Sequence, residues 1–135
     1  MIILGIDPGL QKTGWGIIHS EGSSIRYIAS GLIRPSTDQE MAQRLAALHF
    51  QLTEIIKTYQ PQEAGIEETF VNQNPASALK LGQARGVLMG AASLAGLPVG
   101  EYAANKVKKS IVGSGHAAKR QMGMMIKTLL PTCGQ

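Results

Sequence analysis

The stretch IILGIDPGLQKTGWGIIH, residues 2–19, decides the fold. Ile2, Ile3, Leu4 and Ile6 form an apolar run that ends abruptly at Asp7-Pro8-Gly9. A short apolar run closed by turn residues reads as a buried central strand. Thr13 to His19 then alternates loosely as a second strand, Glu21 to Ser24 is a turn, and Ile25 to Ile33 is a third strand closed by Arg34-Pro35. Tight connections between three short strands predict an antiparallel meander.

Beyond it the period changes. Met41, Leu45, Leu48, Leu52, Ile55, Ile56 and Tyr59 recur at helical spacing. This predicts an amphipathic helix over 38–59, capped by Thr37 or Asp38 and followed by Pro61. Ala64 to Glu68 is a fourth strand, which a helical crossover makes parallel to the first. Asn74-Pro75 opens a second helix, rich in Ala and Gly, that runs to about Leu94 and stops at Gly96. Pro98 to Ala103 is a fifth strand, Asn105 to Ile111 a short basic helix or turn, and Ala117 to Leu130 a final helix. The order βββαβαβαα predicts a single α/β domain over residues 1–135: a mixed five-stranded sheet with helices on both faces.

Composition narrows the function classes. The apolar fraction of 44% and charged fraction of 16% are globular values. Cys133 is the one cysteine, so no intrachain disulfide forms, and a reducing, cytoplasmic location is expected. The longest uncharged run is too short and too broken by glycine to span a bilayer, and the N-terminus lacks a signal-peptide pattern. The formal charge of +4 is unevenly spread: residues 1–79 carry a net −3, and residues 80–135 a net +7 with Glu101 as their one acid. A one-sided basic excess is either a solvated face or the electrostatic footprint of a phosphate backbone partner.

Asp7 and Glu67 end the first and fourth strands. If those strands are parallel neighbours, both carboxylates sit at one edge of the sheet, where sites form in α/β folds. Convergent carboxylates beside a phosphate-binding surface suit Mg²⁺, a hard cation with oxygen ligands. As a purely structural pair they would be a turn residue and an edge charge. Glu68 alternates to the other face. The stretch Gly9 to Gly16 is not a P-loop, because it lacks the Gly-Lys-Ser/Thr ending and no helix follows it; Lys12 and Thr13 are placed to reach a phosphate near Asp7, although a hairpin-tip lysine is usually just exposed. His19, His49 and His116 read as ordinary surface or loop residues, and Met89, Met122, Met124 and Met125 as core filling.

Taken together, IILGIDPGL and TGWG (2–10 and 13–16), GIEETF (65–70), NPASALKLGQARGVL (74–88) and EYAANKVKKSIVGSGHAAKRQM (101–122) resemble the RuvC family of Holliday junction resolvases. The resemblance runs from Ile2 to about Leu130. It implies a ribonuclease-H-like fold and a homodimer that nicks four-way DNA junctions symmetrically by Mg²⁺-dependent hydrolysis, with two Mg²⁺ per complete site. It adds a branch-migration complex as a candidate partner. By position, Asp7 and Glu67 match catalytic, metal-binding acids, and Phe70 matches an aromatic that stacks on a base. Lys108 and Lys119 match lysines near the scissile phosphates. Lys80, Arg85, Lys106, Lys109 and Arg120 complete the expected DNA-binding set. Two further acids of the family lie beyond the last matched segment, and residues 102–135 contain no Asp or Glu. A junction-binding protein with an incomplete metal site is therefore the alternative to an active nuclease. An actin-like or kinase-like phosphate domain also begins with Asp-x-Gly and a hairpin, but needs a second domain for which the chain leaves no room.

Overall fold

Strand β1 (Ile2–Asp7) lies at the centre of the sheet because it is apolar on both faces and closed by a turn that no strand can continue. The computed structural model describes residues 1–21, 24–68 and 74–103. After β1 come β2 (Thr13–Glu21), β3 (Ser24–Ile33), α1 (Met41–Tyr59), β4 (Glu63–Glu68), α2 (Pro75–Leu94) and β5 (Val99–Ala103). The strand order is β3-β2-β1-β4-β5. β1 to β3 form the expected antiparallel meander, and β4 and β5 run parallel to β1. The predicted basic turn and final helix fall in 104–135, outside the described residues.

Alternation divides the sheet. Leu4 and Ile6 of β1, Ile17 of β2, Ile33 of β3, and Ala64 and Ile66 of β4 point to the face covered by both α1 and α2. Leu48, Leu52 and Ile56 of α1 and Ala84, Leu88, Ala91 and Ala92 of α2 complete this core. Each buried Leu or Ile contributes roughly 1.5–3 kcal/mol relative to exposure. Trp15 and Tyr59 close one side, with ring centroids 5.8 Å apart. Both described helices lie on this face, and the helix predicted over 117–130 lies outside the described residues, so among the described residues the opposite face carries none. On that face Ile3 and Ile18 are nevertheless fully buried.

Two local expectations are corrected. α1 begins at Met41 rather than at 38, and its N-cap is Glu40 rather than Thr37 or Asp38. The Asp38 amide is taken by the Ser36 hydroxyl at 3.2 Å, which holds residues 36–39 in a turn. The Glu40 amide instead donates to the Gln43 side chain at 3.3 Å. β2 also extends to Glu21, two residues beyond His19. The α2 start follows expectation: Asn74 Oδ1 accepts from the amides of Ala76 and Ser77, and Pro75 occupies the first helical position.

Candidate active site

The site grows out of the pairing of β1 with β4. These strands run in the same direction, with Ile6 beside Ile66. One step further on, Asp7 and Glu67 occupy neighbouring positions at the carboxyl edge. By alternation both belong to the face opposite α1 and α2. Glu67 is buried, at 1% exposure, and Asp7 is half-buried. Glu68 falls on the helix face, as its alternation requires.

The row of residues just below the acid pair carries no side chains. Gly16, Gly5, Gly65 and Gly100 are in register across β2, β1, β4 and β5. Nothing in the one-dimensional pattern marked this lane, because its glycines are distant in sequence and meet only through strand register.

Arg85 braces the acid-bearing strand from the other side. Its Nε donates to the Glu67 backbone carbonyl at 3.4 Å, and its guanidinium forms an ion pair with Glu101 of β5. Met89 Sδ lies 3.4 Å from Nη1. One arginine on α2 thus ties β4 to β5 where Glu67 sits. The Arg85 side chain, expected in the DNA-binding set, is 20% exposed and has protein partners in this structure. The Glu101 on β5 that sequence patterning left without a role is its counterion.

Asp7 also lines a cavity of about 780 Å³ formed by the turn after β1 and the connection after β3. Lys12 and Arg34 line the same cavity. Thr13 pairs with Ile33, so these cations sit just before β2 and just after β3, at adjacent ends of paired strands. Both are exposed, and among the described residues neither forms an ion pair. The turn is tight: a Cβ on Gly9 would lie 2.2 Å from the Lys12 carbonyl oxygen. Arg44 of α1 holds it by donating to the Leu10 carbonyl at 3.1 Å. Lys80, exposed on α2, lines a smaller gap beside Lys12 and so shares this end of the molecule. Phe70, Lys106, Lys108, Lys109, Lys119, Arg120 and His116 lie outside the described residues.

The donor set is two carboxylates; among the described residues no three His, Cys, Asp or Glu side chains converge. Two hard oxygen donors at one sheet edge, with Asp7 lining the open cavity and Glu67 buried beside it, fit Mg²⁺, which is commonly held by one or two carboxylates, with water and substrate phosphate filling the remaining positions. No helix among the described residues is long and apolar enough to cross a membrane.

The chain is similar to known proteins over nearly its whole length. The family model described as crossover junction endodeoxyribonuclease RuvC matches residues 3–133. A protein of that name from Paramagnetospirillum magneticum is 57% identical over 133 residues, covering 98% of this chain and 80% of the relative. The structure titled T. thermophilus RuvC in complex with Holliday junction substrate aligns with a TM-score of 0.75 and 30% identity, covering 94% of this chain and 78% of that one. The yeast mitochondrial Holliday junction resolvase Ydc2, at 13% identity and a TM-score of 0.57, shares the fold. With a five-stranded mixed sheet, two acids at one strand edge and a match this extensive, the chain belongs to the RuvC family of crossover junction endodeoxyribonucleases.

Proposed function

We propose that this protein resolves Holliday junctions, nicking four-way DNA symmetrically as a cytoplasmic homodimer with Mg²⁺ as cofactor. The observation that carries the reading is the placement of Asp7 and Glu67 at neighbouring ends of parallel strands, with Asp7 lining an open cavity, in a chain that matches the family from residue 3 to 133. Asp7 and Glu67 are the residues that would hold Mg²⁺; when bound, the ion supplies Lewis-acid charge to the scissile phosphate. The chain's own residues do the rest. The carboxylates fix the position of the cation, and the brace from Arg85 holds the Glu67 strand in register.

Lys80, Lys106, Lys108, Lys109, Lys119 and Arg120 supply positive charge to the DNA backbone. Lys108 and Lys119 are assigned to the phosphates nearest the cut, where cationic groups stabilise charge that develops on the phosphoryl oxygens. Phe70 is assigned to stacking on an unpaired base, a contact worth ~1–3 kcal/mol.

Titration against a four-way junction and a linear duplex of equal length, followed by Mg²⁺ addition, tests this function. Junction-selective binding and paired nicks are expected, with nicking lost and binding kept in Asp7→Asn and Glu67→Gln. Lys108→Ala with Lys119→Ala should lower the slope of log K against log salt by roughly two. Equal affinity for duplex overturns junction recognition. Selective binding without any nicking overturns the nuclease role and leaves a junction-binding protein.

A further inference from the structure

We infer that the cavity between the β1–β2 turn and the β3–α1 connection is a phosphate subsite, in which Lys12 and Arg34 hold the DNA backbone beside the phosphate that Asp7 addresses. This rests on the nuclease reading above and extends it to a surface in the acidic half of the chain. Three observations meet there. The cavity, about 780 Å³, opens directly onto Asp7. Two cations line it, and neither forms an ion pair among the described residues. Its shape is set by rigid parts: the Gly9 turn has no room for a Cβ, and Arg44 pins that turn to α1.

The charge arithmetic favours an anion. Residues 1–79 carry a net −3, so a cationic cavity within them runs against their average. Carboxylates at this sheet edge repel a polyanion; the two cations lining the cavity offset that repulsion and leave the backbone held where Asp7 can reach it. Lys12 also borders the gap that Lys80 lines, so Arg34, Lys12 and Lys80 form a continuous basic track along one end of the molecule. A phosphodiester strand, with a negative charge on every linkage, matches such a track. An isolated phosphate would need only one station.

The test uses the full chain in EDTA, so that binding is read without cleavage. Junction affinity is measured against salt for the parent, K12A, R34A and the double variant, with K57A as the charge control, since Lys57 lies on α1 paired with Glu54. Each cation lost should lower the slope by ~0.9, and the double variant should bind ~60-fold more weakly at 0.1 M salt. K57A should keep the parent slope. A second arm scans single uncharged methylphosphonate linkages through the strands near the branch point. One or two positions should weaken the parent and leave the double variant unaffected. Parent-like slopes in the double variant, or identical methylphosphonate profiles in parent and double variant, overturn the subsite. A parent that binds duplex as well as junction overturns the underlying junction-recognition reading instead, and the same titration shows which has failed.

Discussion

Arg85 touches three partners, and its replacement separates a structural role from DNA binding. Its bond to the Glu67 carbonyl and its ion pair with Glu101 link α2 to both strands at the site. Glu101 is 44% exposed, so solvent screens the pair, and Arg85→Gln should cost only about 1 kcal/mol in urea unfolding. The salt slope for junction binding should not change. A slope lowered by ~0.9 would return Arg85 to the DNA surface. Arg85→Lys keeps the charge but not the forked geometry, and should behave like the glutamine variant. Gln60 offers a second test at this scale. It closes α1 in the left-handed region at φ 50°, where a side chain is strained. Gln60→Gly should therefore raise stability by ~0.5 kcal/mol, seen as a higher urea midpoint at unchanged m.

At the scale of elements, α2 divides its small residues between two jobs. Ala84, Ala91 and Ala92 pack into the core, whereas a Cβ on Gly82, Gly86 or Gly90 would meet nothing within 4 Å among the described residues. Those three glycines follow one stripe at i, i+4 and i+8, on the side away from the sheet. Leucine there improves helix propensity by somewhat under 1 kcal/mol per site. Gly82→Leu with Gly90→Leu should keep or raise the melting temperature. If this stripe is the homodimer contact, the same variant sediments as a monomer at micromolar concentration while the parent does not. Identical sedimentation of the two proteins removes α2 from the interface. In β3 the opposite holds. Gly31 lies beneath the Trp15 ring, and a Cβ there would come within 2.9 Å of it. Gly31→Val should cost ~1–3 kcal/mol by overpacking, and it should shift the Trp15 fluorescence.

At the scale of the whole molecule, metal binding and stability are linked. A cation held by Asp7 and Glu67 binds only the folded sheet, because the two residues are 60 positions apart in the chain. Mg²⁺ at 100 times its Kd should therefore add ~2.7 kcal/mol. The melting temperature should rise with each tenfold step of Mg²⁺ and stay level in Asp7→Asn. A rise that survives in Asp7→Asn would place the cation elsewhere. With two carboxylates as the described donor set, millimolar affinity is expected.

Residue order is enough to place the seven described elements, the Asn74-Pro75 helix start, the central strand and the acids near the ends of β1 and β4. These are local signals: an apolar run stopped by Asp-Pro-Gly, a cap residue before proline, a change of period from residue 38. A single chain-wide rule, that a helical crossover returns a strand in parallel, brought Asp7 next to Glu67. The tertiary structure alone decided the rest. It turned Arg85 inward, because the counterion Glu101 lies on a strand that meets α2 only in the folded sheet. It aligned four glycines beneath the acids, since register is a property of paired strands. It also joined Lys12 to Arg34 across 22 positions, because the antiparallel meander returns the end of β3 beside the start of β2, and charge counted along the chain records no such neighbour.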